Sequence, residues 1–249
     1  MKIVNVPRIN ALGNKGPEKM GEKVLAEVGK DFETVDVDNS NVESSEKTIY
    51  SKAKEIFEGN EKAIFVGGDH SITYPIFKAF SEVNKNTFLI IFDAHADCMP
   101  PMEEPTHEEF LRAIIEKKLV DPKNIILVGA RKVEDVEKKF LIEKDIKVFE
   151  EIYDIEAVAD YIAERANEKE VYVSVDIDVL DPAFAPAVNY PEPNGLSSRE
   201  LFYLLKRIFY IKGLRALDVV EVVPEKDEKY DYRTIKVAAK IIEEFLKNE

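Results

Sequence analysis

Three short segments concentrate ionisable side chains at a spacing that suits metal binding. Their six side chains are His70, Asp93, His95, Asp97, Asp176 and Asp178. In an extended segment, residues two apart point to the same side, so the alternating members of each segment can converge on one point. Four carboxylates crowded together repel one another and raise each other's pKa values, so a cationic group should neutralise them.

The composition of this ligand set indicates the kind of ion. The four positive charges of two divalent ions would balance the charges of four carboxylates. Six ligand side chains are enough for two ions when one or two of the carboxylates bind both ions. A set rich in oxygen, with fewer imidazoles and no thiolate, favours Mn²⁺ over a structural zinc site. Two close metal ions can share one water and lower its pKa from about 15.7 toward about 7. The predicted reaction class is metal-assisted hydrolysis.

The placement of histidine supports this interpretation. Of the three histidines, His70 and His95 lie in the segments and His107 follows ten residues after Asp97. Each segment alone has a simpler explanation: residues 67–71 (GGDHS) could form a capped turn, and the other two could be a solvated loop and a turn. Three such segments together favour a metal site.

The apolar pattern predicts the elements that position these residues. Short apolar runs predict strands at 2–6, 33–37, 63–66, 87–92, 125–128, 146–149, 171–175 and 214–220. Helical spacing of apolar residues predicts helices at 20–28, 47–57, 74–83, 108–117, 158–166, 199–209 and 235–246. Alternating strands and helices imply a parallel sheet, and near-continuously apolar strands imply that both faces are covered. We predict an α/β fold, a three-layer α/β/α sandwich, in a single domain spanning 1–249.

Ligands in such folds bind outside the carboxyl ends of the strands. The three polar segments directly follow the predicted strands 63–66, 87–92 and 171–175. Glu221 follows the strand 214–220 in the same way. The predicted site therefore lies at one edge of the sheet.

Charge and composition exclude several classes of partner. The 249 residues carry a net charge of −14, which argues against nucleic acid or an anionic membrane as partner and allows a cationic substrate. No apolar run approaches the roughly 18 residues of a membrane span. One cysteine and the lack of a signal-peptide pattern predict a cytoplasmic protein.

The motifs resemble those of the ureohydrolase family, which comprises arginases, agmatinases and their relatives. Residues 66–75, 89–97 and 174–195 are similar to its three signatures, in the same order, and the resemblance extends from about residue 64 to 224. It is closer to agmatinase-like members. It implies an eight-stranded, mostly parallel sheet, two Mn²⁺ ions per chain, and a homo-oligomer, either a trimer or a hexamer.

The resemblance also implies ligands for each ion. One ion would be bound by His70, Asp93, Asp97 and Asp176. The other would be bound by His95, Asp93, Asp176 and Asp178, with Asp93 and Asp176 bridging. The implied reaction is attack of the bridging hydroxide on a guanidinium carbon, which releases urea and an amine.

Two further positions carry over as catalytic residues, together with Asp97. Glu221, within residues 218–224, resembles a family glutamate that pairs with the guanidinium of the substrate. His107 resembles a histidine that passes a proton to the leaving amine, a role suited to its near-neutral pKa. The alternatives are a surface glutamate after a strand and an exposed loop histidine.

Three departures from the family pattern bear on the substrate. The loop 98–105 lacks the Ser/Gly/Asn-rich sequence that holds the amino-acid group of arginine, so agmatine or a similar amine is favoured. Glu108 stands where the family has glycine, and could bind a second cationic group. Asn189 and Tyr190 are predicted to contact substrate. Two alternatives stay open: hydrolysis of a formimino or amide C–N bond, and a degenerate metal-binding member without ureohydrolase activity.

Overall fold

A computed structural model describes residues 1–10 and 15–247. Within them, eight strands form one sheet. The strands are β1 (Lys2–Asn5), β2 (Glu33–Thr34), β3 (Ala63–Val66), β4 (Thr87–Phe92), β5 (Ile125–Val128), β6 (Lys147–Phe149), β7 (Glu170–Asp176) and β8 (Leu214–Val220). Their order across the sheet is β2-β1-β3-β8-β7-β4-β5-β6, and every pairing is parallel.

Helices cover both faces of this sheet. They are α1 (Met20–Val28), α2 (Val42–Glu58), α3 (Thr73–Val83), α4 (Phe110–Glu116), α5 (Asp135–Glu143), α6 (Ile155–Arg165), α7 (Ser198–Phe209), α8 (Pro224–Asp227) and α9 (Arg233–Leu246). One apolar cluster joins α1, α6, α7 and α9 to the sheet, and a second joins α2, α3, α4 and α5 to it. The predicted three-layer sandwich and its eight-stranded parallel sheet are confirmed.

Some element bounds differ from the sequence-based prediction. Helix α5 was not predicted, because it buries only Phe140 and Leu141 as apolar side chains and shows little periodicity. Helix α2 begins at Val42, five residues before the predicted start, where the side chain of Asn41 accepts a hydrogen bond from the Ser44 amide. Strand β2 has two residues rather than five, and both side chains are exposed.

The sheet order brings the polar segments together. Strands β3, β8, β7 and β4 are consecutive neighbours in the centre of the sheet. Their carboxyl ends are in register, since Val66 pairs with Val219, Asp176 with Val220, and Phe92 with Val175. The segments that follow these four strands therefore meet at one edge.

No helix in residues 1–10 and 15–247 combines the length and apolar character needed to cross a membrane. The sheet is continuous, and a single domain over 1–249 stays a prediction.

Candidate metal centre and substrate cavity

The turn after β3 depends on two glycines. Gly67 and Gly68 have φ angles of +107° and +72°, values that side-chain-bearing residues rarely adopt. A Cβ atom on Gly68 would lie 2.2 Å from the backbone oxygen of Arg8. This turn directs His70 into the centre of the site, where its side chain is 1% exposed.

The first cluster of possible ligands surrounds His70. Its Nδ1 lies 2.9 Å from Asp93 Oδ2, 3.2 Å from Asp97 Oδ2 and 3.4 Å from Asp176 Oδ2. The Nδ1 atom is buried and has no hydrogen-bond partner in the described part of the chain. Such a nitrogen, facing three carboxylate oxygens, fits a bound cation.

The second cluster shares a residue with the first. His95 Nδ1 lies 3.0 Å from Asp178 Oδ2 and 3.4 Å from Asp93 Oδ1. Ligand atoms of His70, Asp93 and Asp97 lie within 4.8 Å of one another, and so do those of Asp93, His95 and Asp178. The two oxygens of Asp93 face different histidines, so this carboxylate suits a bridging position.

The carboxylates of the site are crowded and shielded from water. Burial and the charge of Asp93 raise the pKa of Asp97 to about 7. Burial and the charges of Asp178 and Asp93 raise the pKa of Asp176 well above its ordinary value. Burial lowers the pKa of His95, but its hydrogen bonds with Asp178 and Asp93 outweigh this and raise the pKa to about 12. The site therefore stabilises positive charge, as a pair of divalent ions would supply.

Two of the predicted functional residues have left-handed backbone conformations. Asp97 has a φ of 48° and Glu221 a φ of 69°, each costing about 1–3 kcal/mol for a residue with a side chain. The carbonyl of Asp97 accepts hydrogen bonds from the amides of Leu111 and Arg112 at the start of α4. The amide of Glu221 donates to the carbonyl of Gly68 at 3.2 Å. These contacts hold both side chains toward the site.

A buried polar network orients His70, and the sequence analysis missed it. His70 Nε2 lies 2.9 Å from Ser174 Oγ, whose hydroxyl donates to Asp218 at 2.6 Å. Tyr172 and Thr73 also donate hydroxyl groups to Asp218, at 2.6 and 2.9 Å. Because the Ser174 proton goes to Asp218, Ser174 accepts from Nε2–H, and the lone pair of a neutral ring lies on Nδ1. The available signal was an aspartate inside the apolar strand β8.

A second missed residue, Arg131, joins two loops of the site. Its three guanidinium nitrogens lie 2.7–3.3 Å from six backbone carbonyl oxygens, which share the five N–H groups. The acceptors are Gly129, Asp178, Val179, Leu180, Glu192 and Pro193. Arg131 thereby connects the loop that carries Asp178 to the loop that carries Glu192. Nothing in the spacing of residues near 131 indicated this role.

A cavity of about 300 Å³ opens onto the metal-ligand clusters. The residues that line this cavity include Asp97, Asp176, Asp178, His107 and Glu221. Glu221 Oε1 accepts the His70 amide at 2.9 Å and lies 3.5 Å from His107 Nδ1. The predicted catalytic residues thus line one cavity with four of the predicted ligands, His95, Asp97, Asp176 and Asp178, whereas His70 and Asp93 do not line it.

His107 is buried beside Glu221 rather than exposed on a loop. Its side chain is 8% exposed, and its Nε2 has no hydrogen-bond partner in residues 1–10 and 15–247. Burial lowers its pKa, but the hydrogen bond and charge of Glu221 outweigh this and raise the pKa to about 9. Histidine at this position therefore carries a proton at neutral pH.

Asn189 and Tyr190, which were both predicted to contact substrate, differ in their position relative to the cavity. The Tyr190 ring lines the cavity, with its centre 5.6 Å from the His107 ring and 6.2 Å from the His95 ring. Asn189 is not among the cavity-lining residues, and its side-chain oxygen accepts a hydrogen bond from Lys226 Nζ at 2.8 Å. A substrate contact by Asn189 stays a prediction.

Several proteins of known sequence are similar to this chain. Proclavaminate amidinohydrolase of Streptomyces clavuligerus is 33% identical over 188 residues, covering 72% of this chain and 60% of the relative's length. The agmatinase of Halalkalibacterium halodurans is 31% identical over 209 residues, covering 83% of this chain and 70% of that protein.

The fold is also similar to that of several solved structures. Proclavaminate amidinohydrolase of Streptomyces clavuligerus superposes with a TM-score of 0.90 at 27% identity, covering 99% of this chain and 90% of that one. A Bacillus subtilis arginase superposes with a TM-score of 0.87 at 23% identity, covering 98% and 97% of the two chains, and this likeness concerns the fold. The Arginase family profile matches residues 12–247. By sequence and by fold, the chain belongs to the arginase family.

Proposed function

We propose that this protein hydrolyses the amidino C–N bond of a small guanidino compound, agmatine being the best-supported substrate, and releases urea and an amine. One observation carries the proposal. Four of the six predicted metal ligands line the same cavity as the buried Glu221–His107 pair, and the other two, His70 and Asp93, lie against them. Family membership supports hydrolysis of guanidino or amidino C–N bonds.

We infer that the ligand clusters would hold two Mn²⁺ ions, to both of which Asp93 and Asp176 would contribute. The buried Nδ1 of His70 and the crowded carboxylates support this assignment. Bound divalent ions would supply a water molecule acidic enough to act as a nucleophile near neutral pH. Asp97 would act through the ion that it helps to bind.

The remaining chemistry falls to two side chains. Glu221 would accept hydrogen bonds from the guanidinium and hold its carbon toward the metal-ligand clusters. Its position is defined by the amide of His70 and by the contact with His107. His107, protonated at neutral pH, would donate its proton to the departing amine nitrogen.

The substrate choice rests on the loop 98–105 and on the residues at the cavity mouth. This loop contains three prolines and neither serine, glycine nor asparagine, which disfavours recognition of an amino-acid head group. A Bacillus subtilis formimidoylglutamase superposes with a TM-score of 0.88 at 21% identity, a likeness of fold that leaves formimino compounds as an outcome of the test. A trimeric or hexameric assembly and a cytoplasmic location stay predictions.

The decisive experiment measures urea release by the Mn²⁺-loaded protein. The panel contains agmatine, arginine, 4-guanidinobutyrate, 3-guanidinopropionate and N-formimino-glutamate, the last assayed by formamide or ammonia release. We expect urea from agmatine and its loss in His95→Ala, with two metal ions bound per wild-type chain. Absence of urea from every guanidino compound, with two ions bound, would refute the proposal. Release from formimino-glutamate alone would establish the alternative.

A further inference from the structure

Two carboxylates at the mouth of the cavity lack a lysine or arginine partner. The side chain of Glu108 is 45% exposed, and its Oε1 lies 3.9 Å from His107 Nε2. The side chain of Glu192 is 29% exposed, and its Oε1 lies 3.9 Å from His95 Nε2. In residues 1–10 and 15–247, neither carboxylate lies within 4.0 Å of a lysine or arginine nitrogen.

The other charges around the mouth are already compensated. Lys132 Nζ lies 2.8 Å from Glu134 Oε1, so this ammonium and carboxylate neutralise each other. Glu137 accepts the backbone amides of Cys98 and Glu134, each at 2.9 Å. Glu108 and Glu192 are therefore the carboxylates at the mouth that have no lysine or arginine partner in the described residues, and each lies 3.9 Å from a histidine nitrogen.

The ring of Tyr190 lies beside the two histidines nearest to Glu108 and Glu192. Tyr190 is 39% exposed and lies beside the rings of His107 and His95. An aromatic face in a cavity that also contains two carboxylates attracts an ammonium group more than an anion. An acetate-like tail would instead meet the two carboxylates, neither of which has a lysine or arginine nitrogen within 4.0 Å in the described residues.

A buried and unpartnered atom indicates that a ligand enters here. His107 Nε2 is buried, has no hydrogen-bond partner in the described part of the chain, and belongs to a cavity-lining side chain beside Glu108. Buried polar atoms without partners are rare in folded proteins, and this one lies on the side of the ring toward Glu108, 3.9 Å from its Oε1.

We propose that Glu108 and Glu192 bind the distal cationic group of a substrate that carries a guanidinium at one end and an ammonium at the other. The inference rests on the proposed function, since Glu221 is the group that receives the guanidinium. It assigns the discrimination against carboxylate-tailed guanidino compounds to Glu108 and Glu192, two residues at the mouth of the cavity.

The test compares three compounds that differ only at the tail: agmatine, butylguanidine and 4-guanidinobutyrate. Their affinities for the Mn²⁺-loaded protein are measured by calorimetry, and their kcat/KM values by urea release. Glu108→Gln and Glu192→Gln are each expected to lower the agmatine-to-butylguanidine preference about tenfold, since each removes one charge-assisted contact. The charge-reversed double variant E108K/E192K is expected to prefer 4-guanidinobutyrate.

Glu27→Gln, on the exposed face of α1 and away from the cavity, is the matched control and is expected to keep the wild-type preference. An unchanged preference in the E108Q/E192Q double variant would overturn the inference, as would equal wild-type affinities for agmatine and 4-guanidinobutyrate. Failure of the proposed function gives a different result, namely no urea from any of the three compounds. The calorimetric comparison still decides whether the mouth selects a cationic tail in that case.

Discussion

Replacement of Arg131 tests whether one side chain positions two loops of the site. Arg131→Ala removes the donors shared by six backbone carbonyls, of which three belong to residues 178–180 and two to residues 192–193. Those carbonyls then have to find water or shift. We expect the loop that carries Asp178 to lose its position relative to His95.

The size of the effect follows from the number of donor nitrogens. Hydrogen bonds from a charged group contribute about 1.5–3 kcal/mol each, and here three nitrogens share six acceptors. The guanidinium is only partly buried, so water would recover part of the loss in the variant. We therefore expect the free energy of unfolding to fall by about 3 kcal/mol, or about 6–12 °C in Tm for a chain of this size.

The assay combines thermal unfolding without metal and Mn²⁺ titration by calorimetry. Displacement of Asp178 should weaken Mn²⁺ binding by about tenfold or more, a typical effect of losing a residue that supports a ligand. Arg131→Lys retains the charge but cannot reach both loops, so it should resemble the alanine variant. Arg207→Ala, which removes one exposed pair with Asp160, is the control and should cost less than about 1 kcal/mol. If Arg131→Ala changed Tm and Mn²⁺ affinity no more than Arg207→Ala, the reasoning would be refuted.

Three further predictions concern the same site. Asp218→Asn should lower the free energy of unfolding by about 2–4 kcal/mol and weaken Mn²⁺ binding, because one amide oxygen replaces a buried carboxylate that accepts three hydroxyl groups; urea denaturation measures this, and wild-type stability would contradict it. Chelation of divalent ions should lower Tm, with each site contributing about 2.7 kcal/mol when the ion is at 100 times its Kd, and scanning calorimetry with and without Mn²⁺ tests this. Cys98 is 0% exposed and should react with a thiol reagent only as the protein unfolds, so stoichiometric labelling within seconds in native buffer would disprove its burial.

The family could be identified from local sequence, and metal-assisted hydrolysis was predicted from the same segments, because both depend on residue types within short stretches. The pattern Asp93, His95, Asp97 places three ligands on consecutive alternate positions, and Asp176 with Asp178 repeats the spacing. Apolar strands before each segment imply that the charged groups follow the ends of buried strands. The layered fold was predicted for the same reason, since the alternation of strands and helices is a local pattern.

Element bounds were harder to read where local signals are weak. Helix α5 buries two apolar residues and is initiated by a capping box between Glu134 and Glu137, which apolar periodicity does not detect. Strand β2 is short because the exposed Glu33 and Thr34 lie at the edge of the sheet. In both cases the tertiary environment, rather than the apolar pattern, sets the length of the element.

Residue types and spacing in the sequence by themselves predicted the donor set and the strand-end placement of each segment, and the motifs that they form indicated the family. The tertiary structure alone decided that β3, β8, β7 and β4 are neighbours, since their order arises from contacts between residues up to about 150 positions apart. It also decided the roles of Arg131 and Asp218, which act on the site through hydrogen bonds to distant loops and strands. Such contacts leave no periodic trace, because the partners of a long polar side chain are set by packing in space.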